Sequence, residues 1–301
     1  MDRLQTMSVF VAVSEEAGFA SAARRLKMSP PAVTRAVSEL EARLGARLLH
    51  RTTRAVQVTE AGRRYLADCR RILAEVEEAD RHAVGIHAAP RGTVAVTASV
   101  LFGRLVLMPI VLELLDRYPE LSVSGLFVDR VTHLLEEGID VAVRIAELPD
   151  SSLSAVRVGS VRRVLCASPD YLASRGRPAT PADLSDHEIV DFINMTPNGE
   201  WAFHNTGKTR SFRPRARLLL NTADAAINAA LEGRGITRVL SYMVASHLEQ
   251  GRLEILLQDH EPPAVPVHIV HKEAGQTSAR VRAVVDHFVE RLRADPVLAS
   301  S

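Results

Sequence analysis

The chain has 301 residues, 47% of them apolar and 24% charged, a balance that suits a soluble protein of two domains with buried cores. Its formal net charge of +1 excludes nothing by itself. No run reaches the ~18–20 apolar residues of a membrane span, and the isolated Cys69 and Cys166, without a metal-ligand pattern, point to inert thiols in a reducing compartment. The start, "MDRLQTMSVFVAV", carries an acid at position two and runs into an amphipathic pattern, a poor signal peptide, so the expected location is cytoplasmic.

Leu4, Met7 and Val11 repeat at helical spacing and predict a first helix ending near Ala17–Gly18. A second, short helix carries Ala22, Ala23 and Leu26. Ser29 then stands as an N-cap ahead of Pro30, a residue that costs nothing at a first helical position. The third helix buries Val33, Val37, Leu40 and Leu44 and stops at Gly45, which turns Thr34, Arg35 and Ser38 away from the core. "ARLLHRTTRAVQV" predicts a small hairpin with Arg51 and Arg54 at or near its tip.

Thr59, with Gly62 behind it, opens a long helix with a narrow apolar seam at Ile72, Val76, Ala79, Ala83 and Ile86, up to Ala89-Pro90; such a helix wants a partner helix. Beyond Pro90 the pattern becomes α/β. "TVAVTAS" and "LSVSGLFV" read as strands, "FGRLVLMPIVLELLDRYP" and "DRVTHLLEEG" as helices, and "IDVAVRI" as a strand, hence a parallel sheet. "SAVRVGSVRRVLCAS" is long enough to cross into a second lobe, built from Phe192–Asn194, "RARLLLN", the helix from Thr222 to Glu232 and the strand Ile236–Leu240. "PVHIVHK" and the helix Ser278–Arg293 return to the first lobe.

Helix, helix, sharp turn, helix and wing make a winged helix-turn-helix, whose third helix enters the major groove of double-stranded DNA. Twelve Lys or Arg lie between Arg24 and Arg71 against four acids, a surplus that fits a polyanion. Ser29, Pro30, Pro31, Thr34, Arg35 and Ser38 are the expected base-facing positions. Proline can meet thymine methyls, threonine either base, and arginine a guanine or a phosphate. Arg51 and Arg54 suit phosphates or the minor groove. A generic three-helix core with solvated arginines is the competing reading.

The run "FVAVSEEAGFASAARRLKMSPPAVTRAVSELEARLGARLLHRTTRAVQVTEAG" resembles the DNA-binding domain of LysR-type transcriptional regulators. "TASVLFGRLVLMP", "RYPEL", "LLEEGIDVAVRIAELPDSSL" and "RRVLCASPDYL" resemble the effector-binding domain of the same family, so the likeness spans essentially the whole chain. It implies an α/β multidomain chain: a winged helix-turn-helix over 1–59 with its motif at 19–38, a linker helix that dimerises over 60–90, and a two-lobed periplasmic-binding-protein-like (type 2) domain over 91–301. Lobe 1 would take 91–162 and 267–301, and lobe 2 would take 163–266. The implied partners are an interrupted palindromic operator, a small-molecule coinducer in place of any cofactor, a second copy of the chain in a homodimer or dimer of dimers, and RNA polymerase. Three departures stand out: Ala17-Gly18 where Gly-Ser is common, Pro30 where glutamine is frequent, and Ala146 in place of glycine.

Carried over residue by residue, the effector site begins at Ser99, whose hydroxyl and neighbouring helix N–H groups suit a carboxylate. Val100 and Phe102 would add apolar wall. Phe127, Val128, Arg144, Ile193, Asn194, Thr222, Ile236 and Thr237 would lie at strand ends, where open α/β sheets hold ligands. Arg144 suits an acidic effector; the plainer alternatives pair it with Asp140 or Glu147 and leave Ser99 as a mere N-cap. A bifunctional protein with a catalytic C-terminal domain is the main rival, and a purely architectural DNA binder another. The sequence holds no Gly-rich phosphate loop, no G-x-S-x-G elbow and no H-x-x-x-H or C-x-x-C pair, and "EGRG" at 232–235 reads as helix termination.

Overall fold

The computed structural model describes residues 1–51, 56–83, 90–149, 153–192, 199–205, 208–272 and 278–299. These fall into two units, Met1–Ala89 and Pro90–Ser301, so the linker helix groups with the head instead of forming a segment of its own.

In the first unit α1 (Arg3–Glu15), α2 (Phe19–Arg25) and α3 (Pro30–Leu44) precede a hairpin of β1 (Leu49–Arg51) and β2 (Val56–Val58). The expected stripe on α3 is the buried one: Val33, Ala36, Val37 and Leu40 join Phe10 and Val13 of α1 and Ala22 and Ala23 of α2 in one core. Leu44 stays 38% exposed, because the helix ends there at Gly45. The positive φ of Gly45, 63°, lets Ala46 N donate back to Glu41 O. Between α2 and α3 the same left-handed conformation falls on Lys27, at φ 53°, without a glycine to ease it.

Two polar clamps fix the wing. Glu41 Oε1 accepts from Leu48 N at 2.8 Å and from Leu49 N at 3.1 Å. Thr59 Oγ1 donates to Arg47 O and accepts from Gly62 N at 2.9 Å, capping α4 (Glu60–Ala83). Gly62 is required there, since a Cβ would fall 2.1 Å from Leu48 O. The first half of α4 completes the head: Cys69 is fully buried, and Tyr65, Leu66, Ile72 and Leu73 pack on the same core. Ile72, expected on an open seam, is therefore already engaged. Ile86 and the side chains of Ala79 and Ala83 lie outside the described residues.

The second unit holds two five-stranded sheets of matching plan. Lobe 1 orders β4 (Leu121–Phe127), β3 (Gly92–Ala98), β5 (Val141–Ile145), β14 (Val265–His271) and β6 (Ser154–Val161). Lobe 2 orders β11 (Ala216–Leu220), β8 (Ile189–Phe192), β12 (Ile236–Leu240), β7 (Arg163–Ala167) and β13 (Glu254–Leu256). In each sheet three parallel strands are followed by one antiparallel strand and then by an edge strand antiparallel to that one. The chain crosses between lobes twice, at Arg162 between β6 and β7 and again between β13 and β14. Because β14 already begins at Val265, lobe 2 ends slightly earlier than expected.

Helix α10 (Ala279–Ala294) covers lobe 1, and α8 (Ala223–Leu231) and α9 (Ser241–Glu249) cover lobe 2. The helix expected after β3 is interrupted: α5 (Val100–Phe102) passes through a π-helical turn, Gly103–Leu107, into α6 (Met108–Arg117). Pro109 has no N–H to return to Leu105, and the turn widens there. "DRVTHLLEEG" is not a helix; it is an irregular strap with one turn over 134–138. Glu137 spends its carboxylate on both guanidinium nitrogens of Arg130, at 2.8 and 2.6 Å, and on His133 N, and Gly138 at φ 66° then turns the chain into β5. The sequence pattern also omitted α7 (Pro169–Arg175), α9, β13 and the hairpin of β9 (Trp201–Asn205) with β10 (Lys208–Phe212).

Candidate functional site

The first candidate site is the outer face of α3. Ser29 occupies the N-cap position without a side-chain cap bond, so its hydroxyl is not spent on the helix. Ser29, Pro30, Pro31, Arg35 and Ser38 are exposed and Thr34 is half-buried, all opposite the buried Val33, Ala36 and Val37. Arg51 lies in β1, in register with Val56; its side chain, and Arg54 altogether, lie outside the described residues.

The basic surplus divides into two populations. Arg25 and Arg70 both hold Glu15, at 2.8 and 3.0 Å, while Arg63 and Arg64 hold Glu60 and Arg71 holds Asp68. Arg24, Lys27 and Arg35 make no ion pair or side-chain hydrogen bond among the described residues. The cations of the recognition segment are therefore available to an outside anion, and those around α4 are not. Counting charges along the chain could not separate the groups; noticing that Glu15 and Glu60 sit within reach of the second group would have begun to.

The second candidate site is a cleft of about 560 Å³ between the lobes of the second unit. Lobe 1 supplies Ser99, Val128, the strap residues Asp129–Thr132 and the end of β5 with Arg144; lobe 2 supplies Arg163, Phe192, Leu240 and Met243. Of the expected effector residues, the structure brings Ser99, Val128 and Arg144 to this cleft. Ser99 precedes α5 without a cap bond, so it is not simply an N-cap. Its Oγ lies 3.4 Å from the hydroxyl of Tyr242, a buried residue of lobe 2 whose ring meets Phe102 edge-on at 5.2 Å. Burial pushes the Tyr242 hydroxyl pKa up, so the group stays protonated. The N–H of Val100 is already taken by Asp129 Oδ1 at 3.0 Å, which weakens the case for a carboxylate on that helix end.

Arg144 pairs with neither Asp140 nor Glu147 in the contacts seen. It donates through an Nη to Thr132 O at 2.5 Å, and Asp140 accepts from Ala95 N. Arg144 thus ties the strap to the sheet while lining the cleft.

The other expected effector residues that the structure describes do not line this cleft. Phe102 is 0% exposed, locked into the core beneath Tyr242. Val100 is exposed and is not among the residues that line the cleft. Phe127 lies flat on Gly103, so close that a Cβ there would sit 2.4 Å from its ring, and it leaves the cleft wall to Val128. Thr222 is an exposed N-cap of α8, Ile236 is buried with Trp201, and Thr237 is buried in register with Cys166 and Val190. None of the three lines the cleft. Ile193 and Asn194 lie outside the described residues.

Sequence reasoning missed Arg163. It opens β7, lines the cleft, and makes no hydrogen bond or ion pair to an acid among the described residues. Burial lowers its pKa. The signal was present in "VRRVL", an arginine followed by buried apolar residues at the start of a strand, but Arg162 beside it is the one that pairs, with Glu261 at 3.0 Å. Among the described residues no group of His, Cys, Asp and Glu could hold a metal ion, and no helix is long and apolar enough to cross a membrane.

Residues 4–63 match the family model described as the bacterial regulatory helix-turn-helix protein, lysR family, and residues 87–293 match the LysR substrate binding domain. The HTH-type transcriptional activator AaeR of Escherichia coli K12 is 34% identical over 295 residues, which cover 96% of this chain and 95% of that protein. An HTH-type transcriptional repressor of Pseudomonas aeruginosa is 32% identical over 298 residues, 98% and 94% of the two chains. The solved structure of CrgA, a LysR-type transcriptional regulator from Neisseria meningitidis, shares 29% identity with a TM-score of 0.63 across 96% of this chain and 98% of its own. These relatives are regulators, not enzymes, which removes the reading of the second unit as a catalytic domain. A DNA-binding head followed by an effector-binding domain, with both family models matched in order, makes this chain a member of the LysR family of transcriptional regulators.

Proposed function

We propose that the chain is a cytoplasmic regulator whose grip on DNA is set by a small anionic metabolite held in the cleft between lobes 1 and 2. The observation that carries this reading is the cleft itself: it draws on both lobes, and two guanidinium groups, Arg144 and Arg163, face it from opposite sides. A ligand touching both lobes prefers one lobe arrangement over the other, and only such a preference can move an equilibrium. On the DNA side, α3 offers Pro30, Pro31, Thr34 and Arg35 to base edges, with Ser29, Ser38, Arg51 and Arg54 at the margins.

The operator on this reading is an interrupted palindrome met by two heads of a homodimer joined through α4, with two dimers acting together along a promoter and, at activated promoters, alongside RNA polymerase. The apolar residues of α4 beyond the head core support pairing of that helix.

The test is a gel-shift series with the full-length chain and the DNA flanking its own gene, with and without a panel of small organic acids. Release or tightening by one acid supports the reading. Ser99→Ala should bind DNA as the parent does yet respond less to that acid. A response left unchanged by both Ser99→Ala and Arg144→Gln, or DNA binding blind to every metabolite offered, would remove the cleft from the account.

A further inference from the structure

We propose that the second unit carries a second ligand site, on the reverse of the lobe hinge, and that this site takes a free α-amino acid with an apolar side chain, bound as the zwitterion. The inference does not depend on what fills the cleft.

The chain passes between the lobes at Arg162 and again over 257–264, and behind both crossings lies a hollow of about 370 Å³. It is walled by Ser160 of lobe 1, Ser241 and Leu248 on α9 of lobe 2, Glu261 of the second crossing, and the C-terminal turn Pro296–Leu298. Successive residues face opposite sides here. Arg163, Leu240 and Val265 line the cleft, their chain neighbours Arg162, Ser241 and Ala264 line the hollow, and among the described residues none lines both. The frame is well fixed. Arg162 N donates to Ser241 Oγ at 3.1 Å, and Arg162 O accepts from Ser241 N at 2.9 Å. Leu298 is buried, and a Cβ on Gly159 of β6 would fall 2.6 Å from its carbonyl oxygen, so the turn sits directly on the strand.

The two charges in this wall are only half spent. Arg162 reaches Glu261 through one nitrogen, Nη1, at 3.1 Å from Oε1 and 3.0 Å from Oε2. Its Nε and Nη2 make no hydrogen bond among the described residues, and they form the edge of a guanidinium that a carboxylate meets with two parallel bonds. The Glu261 side chain is 10% exposed, and among the described residues Arg162 is its one cation. Burial holds its carboxyl above the ordinary range against the pull of Arg162, so a second cation beside it is stabilising. An anion alone would meet the repulsion of Glu261, and a cation alone that of Arg162. A molecule with both charges a few bonds apart satisfies the two together. The α-amino acid is the small molecule of that kind, and the hollow lies at the lower end of the ~300–1,000 Å³ range of ligand sites. Leu248, Pro262 and Val297 supply apolar wall for its side chain. Because both lobes and both crossings bound the hollow, an occupant favours one setting of the hinge and gives the regulator a second input.

The test is isothermal titration of the full-length protein with L-valine, L-leucine, L-methionine and L-phenylalanine. Leucinamide, which lacks the carboxylate, and 4-methylpentanoate, which lacks the ammonium group, are the controls. At least one amino acid should bind saturably, and Glu261→Gln should weaken it about tenfold or more. Ala245→Leu, on α9 in the same wall, fills the hollow without touching a charge; it should abolish the binding with no loss of melting temperature. Ser99→Ala, in the cleft, should leave the affinity within about twofold of the parent. Neither control should give a binding heat that Ala245→Leu removes. A protein silent to all four amino acids overturns the proposal, as does binding that survives either Glu261→Gln or Ala245→Leu. A control that binds as tightly as the amino acid and is blocked by Ala245→Leu overturns the zwitterion. Binding lost in Ser99→Ala and kept in Ala245→Leu overturns the site, while leaving the cleft as the place where ligand is held.

Discussion

Arginine serves the two units in opposite ways. In the head, Arg24 and Arg35 stand in solvent and make no ion pair among the described residues, and the arginines that are paired, such as Arg25 and Arg70, are surface residues shared with Glu15. In the second unit Arg163 lines the cleft half-buried, and Arg238 on the neighbouring strand is 3% exposed. A solvated guanidinium costs nothing to keep and attracts phosphates through counterion release, so binding by the head must fall steeply with salt. A desolvated one costs stability until its anion arrives, and screening reaches it poorly. One residue type therefore gives a salt-sensitive grip on DNA in the head and, on the reading proposed above, a contact at Arg163 that salt screens poorly.

That contrast is only useful if the units can be perturbed apart, and Gly62 offers the largest lever. A Cβ at this position meets Leu48 O at 2.1 Å and the Val58 side chain at 2.8 Å, which forces the wing off the start of α4. Gly62→Ala should cost the head about 3 kcal/mol, the upper end of ordinary overpacking. DNA binding would collapse while the second unit keeps its own melting transition. A variant with DNA affinity intact would mean that the wing is not fixed through this contact.

Next in size is Arg35→Ala. The side chain is exposed and makes no hydrogen bond or ion pair among the described residues, so the fold should melt as before while operator affinity drops by about 1–3 kcal/mol. Measured against ionic strength, the logarithmic slope should shrink by about one unit if Arg35 holds a phosphate, and stay the same if it reads a base. Affinity within about twofold of the parent would take α3 out of the groove.

How far the sequence revealed these features depends on how local each signal is. The head was readable because its determinants are near neighbours: Ser29-Pro30, the Val33–Val37–Leu40 stripe, Gly45 and the Thr59–Gly62 cap all act within a few residues. The strap at 129–138 was misread because its helical periodicity loses to a single pair, Arg130 with Glu137, whose carboxylate also takes His133 N. The lobe 2 wall was misread for a different reason. Position at a strand end does not by itself give access to ligand: alternation along β12 sends Thr237 into the core beside Cys166, and the cleft is lined from β7, β8 and the end of β12 instead. Which face of a central strand meets a cleft depends on the partner lobe, and no short window of sequence contains that.

The smallest effect separates a surface ion pair from a buried charge. Glu15 joins α1 to α2 through Arg25 and to α4 through Arg70, with its own side chain 30% exposed. Burial alone would raise its pKa, but the hydrogen bonds and charges of the two arginines outweigh that and hold it below the ordinary value of 4.5. A folded-state pKa lower than the unfolded one means that this contribution is present in full above about pH 4.5 and is lost as pH falls through the folded-state value. At neutral pH, Glu15→Gln should therefore cost the head ~0.5–1 kcal/mol, as partly exposed pairs do. Added salt should shrink the difference. As the acid range is entered, the melts of parent and variant should converge, the parent falling toward the variant. Curves that stay parallel down to the lowest pH at which the head still folds would show that Glu15 acts by packing and not by charge.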